Sequence, residues 1–108
     1  MDSSQFESLA DATLARLQAA IEAAPGGNLD AELIGGILTI EIESGGQFLL
    51  NKHGPNRQIW FSSPVSGAWH FAWNEDDQAW ISTRGGERLE ELLGRELSDA
   101  GGEAIQLG

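Results

Sequence analysis

The sequence predicts an α+β fold, an α-β-α two-layer sandwich in which a helix at each end of the chain covers one face of an antiparallel sheet. Three observations carry this. Apolar residues recur at helical spacing near the N-terminus and again near the C-terminus, and the segment between them alternates with a period of two. The strands are grouped, not interleaved with helices, which argues against a parallel βαβ sheet. The 108 residues make one domain, 1–108.

Taken in order, the first helix opens on Ser4-Gln5-Phe6-Glu7, a capping-box sequence in which Ser4 accepts from first-turn amides and Glu7 reaches back. It runs to about Ala24, where Pro25-Gly26-Gly27 stops it. Phe6, Ala10, Leu14, Leu17 and Ile21 form its buried stripe. Glu7, Asp11 and Glu22 fall within about 60° on a helical wheel at ~100° per residue, a partly exposed acidic ridge. Asn28 to Ile34 leads into the sheet and sets Asp30 and Glu32 on one side of an extended chain.

Leu38, Ile40 and Ile42 alternate with Thr39, Glu41 and Glu43, as in a half-buried strand. Ser44-Gly45-Gly46 is a hairpin signal, Phe48-Leu49-Leu50 returns, and Gly54-Pro55-Asn56 turns again. Gln58 to Phe61 is the next strand, and Ser62 to Gly67 a Ser/Pro/Gly loop. Trp69, Phe71 and Trp73 share one face of a further strand, with His70 and Ala72 on the other. A short strand at Ala79 to Ser82 follows the acidic turn from Asn74 to Gln78, and Thr83 to Gly86 turns the chain once more. The second helix spans Glu87 to about Ala100, with Leu89, Leu92, Leu93 and Leu97 as its stripe and Gly101-Gly102 as its stop. Gly94 inside it costs roughly 1 kcal/mol against alanine, so tight packing is expected there. Ala104 to Leu107 is expected to lie back along the helices.

Composition excludes several function classes. With no cysteine, the chain has no disulfide, thiol nucleophile or Cys-ligated metal site of its own. Seventeen acids against six bases give a net charge of −11, a field that repels nucleic acid and anionic membranes and attracts cations or basic protein surfaces. No apolar run approaches the ~20 residues of a membrane span, and Asp2 without an apolar stretch argues against a secretory signal. No nucleophile elbow, P-loop or dinucleotide fingerprint occurs.

The candidate chemistry lies in the acids and two kinds of ring. Carboxylates are hard ligands suited to iron, manganese, calcium or magnesium, and an exposed cluster holds such a cation loosely. A solvated helix face is the plainer reading of the same residues. His53 in a turn and His70 on a strand are each possible metal ligands, or ordinary turn and surface residues. Alternation sends Ile59 inward and Trp60 outward beside Gln58, with His70 on the same outer face. An outward tryptophan among polar neighbours is the residue type enriched at protein-binding hot spots.

Gly35-Gly36-Ile37-Leu38-Thr39-Ile40, Leu50-Asn51-Lys52, Pro55, Gln58-Ile59-Trp60-Phe61-Ser62-Ser63-Pro64, Ser66-Gly67, Trp73, Leu92-Leu93 and Glu96-Leu97 together resemble the frataxin family, whose bacterial members are known as CyaY. Phe6-Glu7-Ser8-Leu9-Ala10-Asp11 is similar too, so the likeness covers nearly the whole chain. The Asn-Lys…Pro…Gln-Ile-Trp run is its specific part.

The resemblance implies a sheet of about five to seven strands with both helices on one face. It implies an iron-binding protein of iron–sulfur cluster assembly, an iron chaperone or donor and a regulator of the complex of cysteine desulfurase with its scaffold protein. Iron, ferrous or ferric, would be held weakly at the surface. The positions matching the family's acidic ridge are Glu7, Asp11, Glu22, Asp30 and Glu32, with Glu41 and Glu43 on the strand. Those matching its scaffold-facing surface are Asn51, Lys52, Gln58 and Trp60, and His53 and His70 fall beside them. No catalytic residue is implied, and the expected state is a cytoplasmic bacterial monomer, or a mature mitochondrial matrix protein, that meets neither nucleic acid nor membrane. Two alternatives stay open: an interaction module in which iron is incidental, and a ferroxidase or iron-storage protein that oligomerises around metal. The chain departs from the family where a dense acid run usually ends the first helix: Glu22-Ala23-Ala24-Pro25-Gly26-Gly27-Asn28 holds one acid. His53 stands where many relatives have glutamine, and His70 where some have arginine; the pair suggests a second metal site or a pH-sensitive partner surface.

Overall fold

The computed structural model describes residues 1–24, 28–101 and 107. Among these residues the chain forms α1 (Ser3–Glu22), then β1 (Leu29–Ile34), β2 (Ile37–Ile42), β3 (Gln47–His53), β4 (Gln58–Ser63), β5 (Gly67–Asn74) and β6 (Ala79–Ser82), and finally α2 (Leu89–Gly101). The strands make one antiparallel sheet in chain order, β1 to β6. The α+β sandwich is therefore as expected, with a strand number inside the expected range. No described helix is long and apolar enough to cross a membrane.

Register decides which residues enter the core. Leu38 pairs with Leu50, Leu50 with Phe61 and Ile59 with Phe71, and all of these side chains are fully buried. A slip by one residue would exchange them for Asn51, Trp60 and His70. Both helices bury their stripes in this same core: Phe6, Leu14, Leu17 and Ile21 from α1, and Leu89, Leu92, Leu93 and Leu97 from α2. Trp80 reaches in from β6 to meet Phe6 edge-on at 6.1 Å, and its indole N–H donates to Thr13 Oγ1 at 3.0 Å. The helix layer covers one sheet face, and the other is left open.

Several boundaries differ from expectation. The cap of α1 is Asp2, not Ser4: Asp2 Oδ1 accepts from the Gln5 amide at 2.8 Å, while Gln5 Oε1 accepts from the Asp2 amide at 3.1 Å. A carboxylate is the better acceptor, and its charge suits the positive end of the helix dipole. α1 ends at Glu22, and Pro25 to Gly27 lie outside the described residues. β4 continues to Ser63 because Ser62 and Ser63 pair with Ala68 and Gly67, so the loop shrinks to 64–66. α2 begins at Leu89, not Glu87. Glu87 and Arg88 stay extended: the Ser82 amide donates to the Glu87 carbonyl at 2.8 Å, and Arg88 bridges Ile81. Gly102 and Ala104 to Gln106 lie outside the described residues; Leu107 is buried, and its carbonyl accepts from Arg16 at 3.0 Å.

Candidate functional site: an aromatic column on the open sheet face and a divided set of acids

The open face is built by alternation. Asn51, Trp60 and His70 stand directly opposite one another across β3, β4 and β5, and Gln58 and His53 form the next paired position along the sheet. Trp60 is the centre of a three-ring column. The His53 ring lies 3.6 Å from it at 8°, reached diagonally across the strand pair, and the His70 ring lies 4.3 Å away on the other face at 7°. The Trp60 indole N–H donates to Gln58 Oε1 at 2.8 Å. The indole faces outward as the alternation requires, but both its faces are covered and only its edge is presented. Its pose is fixed by two stacked rings and one hydrogen bond.

This geometry holds the two histidines apart. The indole lies between His53 and His70, so no single ion can touch a nitrogen of each at the ~2.0–2.1 Å of a metal–histidine bond. In this arrangement the two histidines do not share a metal site. His53 Nδ1 is buried in the column, with no hydrogen-bond partner among the described residues.

Lys52 also differs from expectation. It pairs with buried Ile59, so its side chain leaves the sheet on the helix side, away from Asn51 and Trp60. There Nζ meets Glu7 Oε2 at 2.6 Å and Asp11 Oδ1 at 2.8 Å. The hydrogen bond to Asp11 first, and that to Glu7 second, hold the ammonium above its usual pKa. Gly36 makes room for this clasp: its φ is +80°, and a Cβ there would lie 3.1 Å from Lys52 Cε. The Lys52 amide in turn donates to the Gly36 carbonyl at 2.9 Å.

The seven predicted acids are thereby divided. Glu7 and Asp11 share Lys52. Glu22 is exposed at the far end of α1, about 16 Å along the axis from Asp11 at 1.5 Å per residue. Asp30, Glu32 and Glu41 lie on the open sheet face, with Glu43 just past the end of β2. Asp30 and Glu41 are directly opposite, a like-charge pair that costs a few tenths to about 1 kcal/mol. Among the described residues no three Asp, Glu or His side chains come together as a metal-holding group.

Two features escaped the reading of the sequence. Glu96 is buried on α2 and accepts from Ser63 Oγ at 2.6 Å, while Ser63 Oγ accepts from the amides of Val65 and Ser66. A signal was present: Glu96 falls four residues after Leu92 and three after Leu93, on the apolar stripe. The second is a groove between the helices lined by Arg16, Arg88 and Arg95. Arg88 and Arg95 are seven residues apart, on one face of the predicted second helix, but nothing in the sequence brings Arg16 of the first helix beside them.

Comparison with known proteins places this geometry. The model of the frataxin-like domain matches residues 1–103. The iron-sulfur cluster assembly protein CyaY of Dechloromonas aromatica is 40% identical over 108 residues, covering 99% of each chain. The mitochondrial frataxin of Arabidopsis thaliana is 51% identical over 71 residues, which span 66% of this chain and 38% of that relative. Among solved structures, frataxin from Psychromonas ingrahamii superposes with a TM-score of 0.89 at 25% identity, covering 100% of this chain and 99% of that one. Trimeric yeast frataxin complexed with ferrous iron gives 0.71 at 33% identity, covering 95% and 88%. The chain belongs to the frataxin-like family.

Proposed function

We propose that this chain serves iron–sulfur cluster assembly as a non-enzymatic docking protein that carries iron or regulates the cysteine desulfurase and its scaffold. The open sheet face takes the scaffold, and the acids of α1 and β1–β2 take cations or the basic surface of the desulfurase. The observation that carries this reading is the Trp60 column: an indole fixed in place on a helix-free sheet face, between Asn51 and His70. Fixing an anchor before the partner arrives removes part of the ordering cost of binding. Support also comes from the relative named as an iron-sulfur cluster assembly protein and from the yeast frataxin complexed with ferrous iron. The working form is a monomer in a bacterial cytoplasm, and iron is held weakly, in exchange with water.

The test is a pull-down of desulfurase and scaffold by wild type and by Trp60→Ala. Retention by wild type and loss by the variant is the expected result; equal retention removes the docking role of this face. A second reading, an interaction module in which iron is incidental, draws support from the Lys52 clasp, which already neutralises part of the charge of Glu7 and Asp11. Ferrous iron titrated against a variant with Glu7, Asp11, Glu22, Asp30 and Glu32 neutralised separates the two. Lost iron binding with unchanged partner binding and activity favours the second. An iron-storage or ferroxidase role requires assembly with iron and oxygen, and a monomer on sizing under those conditions counts against it.

A further inference from the structure

Among the described residues four large apolar side chains are exposed: Met1, Ile34, Ile37 and Val65. Two of them are neighbours. Ile34 and Ile37 flank Gly35-Gly36 and face each other across the β1–β2 hairpin. Both glycines have positive φ, +58° and +80°, as a two-residue type I′ turn requires, so the turn fixes the register of the pair. The branched side chains are stiff at χ1 and have little freedom left to lose when covered.

Register also sets where this pair stands. Ile37 pairs with Asn51, Asn51 with Trp60 and Trp60 with His70, so Ile34 and Ile37 continue the cross-strand row of the Trp60 column on the open face. At ~4.8 Å between strands, Ile37 lies about 10 Å from Trp60 and Ile34 about 14 Å. Behind the pair, on the same face of the hairpin, come Glu32 and then the opposed Asp30 and Glu41. β1 and β2 contain no base, and Lys52 on neighbouring β3 leaves the sheet on the helix side.

That pattern selects an occupant. A second copy of this chain would bring like carboxylates together, and an anionic bilayer would meet the same repulsion. A protein surface with an aliphatic side chain and a lysine or arginine about 7–14 Å from it, two or four strand residues away, complements both halves. The column itself offers such a partner little apolar area, because both faces of its indole are covered.

We propose that the β1–β2 turn extends the docking face: the protein seated on Trp60 also lays an aliphatic side chain over Ile34 and Ile37 and basic side chains over Asp30, Glu32 and Glu41. This rests on the docking role of the open face proposed above and adds a second anchor to it. It assigns the acids of β1 and β2 to the partner of the sheet face and leaves those of α1 to the other.

The test is calorimetric titration of the full chain with purified scaffold protein, in low and in high salt. Ile34→Thr with Ile37→Thr keeps β-branching, hence the strands, and removes the aliphatic surface. It is expected to weaken binding about tenfold at both salt concentrations, as for burial of part of two isoleucines. Asp30→Asn with Glu41→Gln is expected to weaken binding in low salt and far less in high salt. Val65→Thr, as exposed as Ile34 but on the turn after β4, changes nothing. If the isoleucine double variant binds like wild type while Trp60→Ala does not, the extension falls and the docking face stands. If both bind like wild type, or wild type does not bind, both fall. A salt-independent effect of the acid variant, or a dimer of the free chain that the isoleucine double variant abolishes, would also overturn the extension.

Discussion

The two faces of β3–β5 are built from the same strands, one residue out of step, and use aromatic rings for opposite ends. On the inner face Phe61 stacks on Phe48 at 5.9 Å and lies tilted to Phe71 at 6.5 Å, and all three are sealed under the helices. On the outer face Trp60 is stacked more closely, at 3.6 and 4.3 Å, but its neighbours are imidazoles and no described helix covers the column. Inner rings are held by burial, so their removal costs stability. The outer ring is held by three side chains, so its removal should cost recognition first. Order at a surface is thus achieved here without a core.

The comparison can be broken at its strongest point. Phe61→Ala opens a cavity between sheet and helices and should lower unfolding free energy by about 3–5 kcal/mol in urea melts, with scaffold retention falling only as far as folded protein falls. Glu96→Ala comes next, at about 1–3 kcal/mol, because it removes the acceptor of the buried Ser63 hydroxyl; Ser63→Ala made alongside should not add its full cost to it. Trp60→Ala should cost about 1–2 kcal/mol of stability, the value of its ring contacts, yet weaken scaffold binding by roughly thirtyfold or more as a hot-spot residue. A Trp60→Ala protein that binds normally would make the outer column a structural ornament of the sheet.

The smallest effect concerns Lys52. Its folded-state pKa is raised, so its contribution to stability is complete below the unfolded value of about 10.4 and fades as pH rises through the folded value. Lys52→Met should therefore be slightly less stable than wild type at neutral pH, and the gap should close in strongly alkaline melts. A gap that widens there would mean the clasp is not what Lys52 contributes. Glu7 and Asp11 are each about half exposed, so solvent screening keeps the effect small.

Much of this architecture was legible from the sequence. Alternation alone put Leu38 and Ile40 inward and Trp60 and His70 outward, because a strand has no choice but to alternate. It also put Glu7 and Asp11 on one helix face. It could not say that Lys52 would reach that face, since this depends on how the β1–β2 turn at Gly36 passes beneath the lysine and where α1 crosses the sheet. Nor did the outward placement of Trp60 reveal that His53 would arrive diagonally to cover its second face. The wheel grouped Glu22 with Glu7 and Asp11 by angle, but the length of the helix keeps it apart from them. Contacts between neighbours in a regular element were readable; contacts that join two elements at a turn were not.

The Ser63 hydroxyl has a mechanical consequence. It donates a hydrogen bond to Glu96 on the second helix and accepts from the two amides that shape the turn between β4 and β5. That turn and the helix are tied by a knot with no slack. Any displacement of the β4–β5 corner must therefore stretch or break the contact with the second helix.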